Sequence, residues 1–378
     1  MQGFKNPRLI IRQLSSTIPK RPLFDQVFPQ KKLINKILFE LDSKLNYGTL
    51  LPAYESVYDG MNKLDREPRL PTSFVASDVM VMKKVLEKVR RKSKSINVHL
   101  LALENALLEK AAEMGDNDGI ALLAFEVLKD ASKQPVSDVE HAKKLIKELK
   151  NLNHPLTLKL TGDLVFKLGD YNGAENWYKR FLKLEDETYL AGEVYQQLGV
   201  IYFKKAALQD AENSFLKSVK FCPLERVVHS YYYLAQIYLN SDPIKARFLM
   251  ESAATEGFVQ SFRALGFLEK DYFQNNRKAL EWFRLGMELL EVDCFIGYFD
   301  CCIQQKDWQK ASKCLKSLEE ILGNHPNARA TLAQFKEKRK ATINSLESER
   351  HLGESSIESA KSGDNLSQEN ETRSRWDL

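Results

Sequence analysis

Residues 193–223 read Glu-Val-Tyr-Gln-Gln-Leu-Gly-Val-Ile-Tyr-Phe-Lys-Lys-Ala-Ala-Leu-Gln-Asp-Ala-Glu-Asn-Ser-Phe-Leu-Lys-Ser-Val-Lys-Phe-Cys-Pro. This stretch decides the fold. It reads as two apolar stripes of helical period, one for each helix of a single unit. Gly199 and Ala211, small residues on the two stripes, let the helices approach closely. Tyr195, Tyr202 and Phe215 fill the space between them, and Pro223 ends the unit because it cannot continue a helix.

Working outward, alanines recur at Ala142, Ala174, Ala211, Ala246, Ala279 and Ala311, at spacings of 32, 37, 35, 33 and 32 residues. That period, with Leu198-Gly199, Tyr202, Ala211, Phe215 and Pro223 at their offsets, is the pattern of the tetratricopeptide (TPR) repeat. The preceding unit carries Leu158, Gly162, Val165, Gly169, Tyr171, Ala174, Tyr178 and Phe181 at corresponding places. Later units drift toward the Sel1-like variant: Ala246, Met250, Ala253-Ala254 and Gly257; then Leu265-Gly266, Ala279, Trp282 and Phe283; then Asp307-Trp308, Ala311 and Leu315. Ala111-Ala112-x-x-Gly115 repeats the helix ending seen at Ala253. The expected fold is all-α: a TPR/Sel1-like helical-repeat solenoid with an N-terminal helical extension and a disordered C-terminal tail. Ordinary bundles do not keep Leu-Gly and Ala-aromatic pairs in phase.

Four segments follow. Residues 1–24 read as a mitochondrial presequence: Lys5, Arg8, Arg12, Lys20 and Arg21, no acid before Asp25, hydroxyls at Ser15, Ser16 and Thr17. Arg12-Gln13-Leu14-Ser15 has the look of a matrix-peptidase site, and the bland alternative is a disordered basic start. Residues 25–97 read as an N-terminal helical region with an apolar stripe at Leu33, Ile34, Ile37, Leu38, Leu41 and Leu45. Pro52, Pro68 and Pro71 punctuate it, and a second stripe runs through Met80, Val81, Val85, Leu86 and Val89. Residues 98–335 read as the repeat array, and residues 336–378 as a charged helix end and a disordered tail. From 347 to 378 the tail carries eight acids against four bases with few apolar residues. No run approaches 18 consecutive apolar residues, so no transmembrane helix is expected.

Nothing in the sequence supports catalysis, a cofactor or a metal. Cys222, Cys294, Cys301, Cys302 and Cys314 are odd in number and lack the Cys-x-x-Cys spacing of zinc sites. Buried inert thiols are the plainer reading than redox or copper chemistry. The six histidines are scattered, and no phosphate loop or Gly-x-Ser-x-Gly occurs.

Two surfaces are candidates for binding. Lys83, Lys84, Lys88, Arg90, Arg91, Lys92 and Lys94 fall within twelve residues, opposed in sequence by Glu87. This basic amphipathic segment suits a membrane surface, RNA phosphate or simply a solvated helix face. RNA is less favoured because no aromatic interleaves the run to stack bases. The other surface is the face made by the first helix of each repeat, where TPR arrays hold peptides. By register it includes Lys159, Asp163 and Phe166, then Gln196, Val200 and Phe203, then Tyr232, Gln236 and Leu239. A chaperone-type carboxylate clamp needs Lys with Asn. Here Asp163 follows Lys159 and the next unit offers Gln197, so an extended or helical client segment is expected instead.

The segments 34–42 (Ile-Asn-Lys-Ile-Leu-Phe-Glu-Leu-Asp), 190–194 (Leu-Ala-Gly-Glu-Val) and 265–269 (Leu-Gly-Phe-Leu-Glu) point further. So do Glu281-Trp-Phe283, Asp293-Cys-Phe295 and Phe299-Asp-Cys-Cys302. Over residues 25–335 the chain resembles the fungal mitochondrial TPR family required for cytochrome c oxidase assembly. The resemblance implies a non-catalytic assembly factor, peripheral on the matrix side of the inner membrane. It would bind oxidase subunit 2 and work beside the membrane insertase to pass that subunit's C-terminal domain across the membrane. The alternative is a mitochondrial RNA-associated repeat protein acting in expression of an oxidase subunit.

Overall fold

The computed structural model describes residues 22–61, 70, 71, 73–323 and 329–346. The presequence reading, save its last three residues, and the tail reading for 347–378 lie outside the described residues. The chain divides into two units, residues 1–185 and 186–378.

Among the described residues the first unit holds nine α-helices: α1 (Phe24–Val27), α2 (Lys31–Glu40), α3 (Tyr47–Gly60), α4 (Ala76–Ser93), α5 (Val98–Glu113), α6 (Asn117–Lys129), α7 (Val136–Asn151), α8 (Pro155–Lys167) and α9 (Tyr171–Leu182). Helices α4 and α5, α6 and α7, and α8 and α9 pack as antiparallel pairs. Helix α4 is the centre of the N-terminal part. It buries Val79, Met80, Met82, Val85, Leu86 and Val89, a wider face than the stripe expected through Val81, which is only partly covered. The extra coverage comes from α2, α3 and α5 closing around it. Tyr54 of α3 donates its hydroxyl to the Met82 carbonyl at 2.8 Å. Pro52 does not punctuate the chain: it sits inside α3, in the second turn, where the lost N–H forfeits one bond without ending the helix.

The second unit continues with α10 (Tyr189–Lys204), α11 (Leu208–Phe221), α12 (Val228–Tyr238), α13 (Pro243–Thr255), α14 (Val259–Phe267), α15 (Asn276–Glu288), α16 (Val292–Gln304), α17 (Trp308–Gly323) and α18 (Arg329–Lys338). A π-helical turn, Leu268–Tyr272, follows α14 and carries Glu269, fully buried against the Arg247 guanidinium at 3.4 Å. A last helical stretch covers 340–346, and Arg339 forks onto both oxygens of Asp300 at 2.7 and 2.6 Å. Among the described residues there is no strand.

The repeat is visible as a packing rule. Ala142, Ala174, Ala211, Ala246, Ala279 and Ala311 all have no solvent exposure. Four residues after the last five stand Tyr178, Phe215, Met250, Phe283 and Leu315, all buried. Tyr178, Phe215 and Phe283 fill the gap left by a glycine on the facing first helix. A Cβ at Gly162 would meet the Tyr178 ring at 2.5 Å, one at Gly199 the Phe215 ring at 2.5 Å, and one at Gly266 the Phe283 ring at 2.3 Å. In the pair of α12 and α13 the small residue is Ala235, and the side chain in its cluster is the thinner Met250. The larger floor is matched by a slimmer ceiling, which conserves packing volume.

The two Ala-Ala-x-x-Gly segments are helix stops. Gly115 and Gly257 adopt φ of +89° and +77°. The next N–H in each case reaches back to a helix carbonyl, Asp116 to Ala111 at 3.0 Å and Phe258 to Ala253 at 3.2 Å. That is the left-handed glycine cap, which saturates carbonyls the helix end would leave bare.

Candidate protein-binding surface

The first helices of the pairs carry the residues that the repeat register assigns to binding. In the first unit, Lys159, Asp163 and Phe166 lie on α8. Lys159 Nζ pairs with Asp163 Oδ2 at 2.9 Å, and Tyr178 donates its hydroxyl to Asp163 Oδ1 at 2.9 Å. Burial and then Asp163 itself push the Tyr178 phenol far above its ordinary range, so this bond is always a donated one. Phe166 meets Tyr171 edge-on at 5.4 Å. The charges here are compensated and the aromatic is braced.

In the second unit, Gln196, Val200 and Phe203 lie on α10, with Tyr232 and Gln236 on the neighbouring α12 and Leu239 at its C-cap. Gln196 is 7 % exposed, and its Oε1 has no hydrogen-bond partner among the described residues. A buried amide oxygen left unpaired costs of order 1–3 kcal/mol, which an incoming N–H would recover. Val200 is almost as covered as Gln196, and Leu239 packs against the Ala235–Met250 cluster. Both therefore contribute to the core as well as to the surface. Phe203 leans on Tyr233 at 5.0 Å, and Tyr232 on Phe258 at 5.1 Å.

Sequence reasoning missed the continuation of this row. Arg263 stands three residues before Gly266, as Gln196 does before Gly199, Tyr232 before Ala235 and Lys159 before Gly162. That shared offset was the signal available. Arg263 pairs with Asp293 at 2.8 Å and Glu291 at 3.9 Å. The Asp293 hydrogen bond holds the guanidinium above its ordinary value. The second unit therefore presents an amide, a phenol and an anchored guanidinium along successive first helices, interspersed with aromatic and aliphatic surface. Such a face can pair with a peptide backbone and receive apolar side chains.

The basic segment on α4 has a different character in three dimensions. Lys83 and Arg91 both pair with Glu87 at 2.7 and 2.6 Å. Burial pushes Glu87 up, yet those two cations pull it down to about 2. Lys84 meets Asp118 of α6 at 3.6 Å, and Lys88 and Lys92 share Glu40 of α2. Arg90 grips Glu104 of α5 through two bonds of 3.1 Å, and Glu104 is 2 % exposed. Lys94, the seventh member, caps the helix in the left-handed conformation. The sequence showed one opposing acid; the fold brings three more, and the cluster fastens α2, α5 and α6 to α4.

All five cysteines are buried, and none is in a disulfide. Burial pushes the thiols of Cys294 and Cys302 up to about 12 and that of Cys301 to about 11, and raises Cys314 as well. Cys314 donates to the Phe295 carbonyl at 3.3 Å. Thiols held protonated are poor nucleophiles and poor metal ligands. Among the described residues no group of three His, Cys, Asp or Glu side chains is arranged to hold a metal ion. Nor is any helix there long and apolar enough to cross a membrane.

The family model for the MSS2 N-terminal domain matches residues 20–116. The chain is 40% identical over 347 residues to the protein called "Protein MSS2, mitochondrial" of Saccharomyces cerevisiae, covering 90% of this chain and 99% of that relative. Among solved structures it resembles yeast Tom70 at 14% identity and a TM-score of 0.41, covering 82% of this chain and 73% of that one. It also resembles a tetratricopeptide repeat protein from Parabacteroides merdae at 16% identity and a TM-score of 0.37, covering 76% and 99%. Identity at this level along nearly the whole of both chains decides the matter: the chain belongs to the MSS2 family.

Proposed function

We propose that this chain is a non-catalytic scaffold of mitochondria, bound peripherally to the matrix side of the inner membrane. There it holds cytochrome c oxidase subunit 2 and, beside the membrane insertase, promotes passage of that subunit's C-terminal domain across the membrane. The observation that carries the holding role is the first-helix face of the second unit. Gln196 keeps a buried amide oxygen unpaired there, one helix away from Tyr232. In the first unit Lys159, Asp163 and Phe166 form a separate first-helix face of the same register. The mitochondrial setting is supported by the basic, acid-free N-terminus and by the relative's name. The client is supported by the sequence resemblance.

The membrane and RNA readings of the α4 segment both ask for available cations. Its ion pairs with Glu40, Glu87, Glu104 and Asp118 weigh against both readings of that segment, and so against an RNA-associated role in expression of an oxidase subunit.

Deletion of the chain tests the function. Subunit 2 should still be synthesised, while its C-terminal domain stays protected when the outer side of the inner membrane is treated with protease. Loss of its synthesis would contradict the scaffold reading.

A further inference from the structure

The cations of α4 are matched by carboxylates, but a second cluster in the first unit is not. Lys150, in the last turn of α7, and Arg180, in the last turn of α9, lie over one indole. The Lys150 Nζ is 4.8 Å and the Arg180 Cζ 4.6 Å from the ring centroid of Trp177. Arg180 Nη2 donates to Asn153 Oδ1 at 3.3 Å, and Asn153 adopts φ of +51° in the turn after α7. Among the described residues neither cation has a carboxylate within ion-pair distance. Burial and repulsion from Arg180 lower the Lys150 ammonium below its usual value.

One cation on an indole is ordinary packing, stabilising by about 0.5–2 kcal/mol. Two on the same indole repel each other, and here one is partly buried with no counter-charge. What the cluster lacks is an anion. Lys143, Lys147 and Lys150 fall at intervals of four and three, on one face of α7, with Lys143 and Lys147 exposed. The stripe is about 10 Å long, which matches three residues of extended chain. It leads to a guanidinium, whose planar fork suits a carboxylate. Leu152, 65 % exposed, adjoins Asn153 and offers an apolar contact beside the charge.

We infer that Lys150, Asn153, Trp177 and Arg180 form a docking site for an acidic segment of a partner polypeptide. A carboxylate enters between the ammonium and the guanidinium, and further acidic residues follow the α7 stripe. The site is built on second helices, α7 and α9, so it stands whether or not the first-helix faces hold a client.

The test is fluorescence anisotropy of a labelled hexaglutamate peptide with the full chain at low ionic strength. Hexaglutamine serves as the uncharged control. Hexaglutamate should bind and hexaglutamine should not. Lys150→Gln with Arg180→Gln should weaken binding about tenfold, and Trp177→Ala should weaken it too. Lys32→Gln with Lys36→Gln, which removes the same charge from exposed positions on α2, should change it less than about twofold. The glutamine variants keep the helices' apolar faces, so circular dichroism should stay that of the parent. Absence of hexaglutamate binding, or equal loss in the α2 control, would overturn the proposal. So would displacement of the peptide by phosphatidylserine vesicles that bind through Lys150 and Arg180, since that would make this a lipid site.

Discussion

Phe215 lays its ring against the bare backbone of Gly199, so close that a Cβ there would stand 2.5 Å from Cδ1. The contact joins α10 to α11, and its counterparts join α8 to α9 and α14 to α15. Gly199→Ala should therefore destabilise the second unit by about 2–3 kcal/mol through overpacking. The fold contains its own remedy, the Ala235–Met250 combination. Gly199→Ala with Phe215→Met should recover about 1 kcal/mol or more of that loss. Urea unfolding of the two variants and the Phe215→Met single mutant measures the coupling. Strict additivity would show that the ring and the glycine are not packed as described.

Neighbouring arginines on α4 should behave unlike each other. Arg90→Ala strands the buried Glu104 carboxylate and should cost about 3 kcal/mol. Arg91→Ala leaves Glu87 still held by Lys83 and should cost less than about 1 kcal/mol. Arg90→Ala with Glu104→Leu should restore much of the loss. Chemical denaturation of these variants decides between a structural tie and an idle surface charge.

Glu109 gives the first unit a pH dependence of unusual sign. Burial, then Glu113 and Glu126, push its carboxyl up to about 7. The folded chain therefore keeps a proton that the unfolded chain releases near the ordinary glutamate value. Between those two values the folded state binds more protons, so this group's contribution to stability is present at low pH and is lost as pH rises through about 7. Glu109→Gln should remove that loss and gain about 1 kcal/mol at pH 8, with partial exposure discounted. Thermal unfolding at pH 5 and pH 8 checks it. An unchanged difference between wild type and variant at the two values would be inconsistent with the raised carboxyl.

The thiols should be silent in the native protein. With Cys294, Cys301, Cys302 and Cys314 buried and held protonated, iodoacetamide at pH 7.5 should label none of the five cysteines within minutes, and all five in urea. Mass spectrometry counts the adducts. Rapid labelling of Cys301 or Cys302 in the folded chain would reopen the case for thiol chemistry.

The repeat was legible in the sequence because its signal is local and recurrent. Gly199, Ala211 and Phe215 lie within seventeen residues, and the same trio returns at Gly266, Ala279 and Phe283. Long-range electrostatics were not legible. Lys92 finds Glu40 across 52 positions and Arg90 finds Glu104 across 14. Along the chain only Glu87 stood near them, so the run looked like an open basic patch. Likewise Val79 and Met82 did not fit a single apolar stripe, because α4 is enclosed on more than one side. Arg263 was within reach of register reasoning, since its place before Gly266 repeats that of Gln196 before Gly199. The meeting of Lys150 and Arg180 on Trp177 depends on how two helical pairs stack, which no periodicity encodes.

The first-helix face of the second unit is the heart of the functional reading, and site-specific photo-crosslinking in intact mitochondria tests it most directly. A photoreactive residue at Gln236, on that face, is compared with one at Leu216, exposed on the second helix α11. The expected result is an adduct with cytochrome c oxidase subunit 2 from position 236 and none from position 216. Adducts of equal yield from both positions, or none from 236, would contradict it.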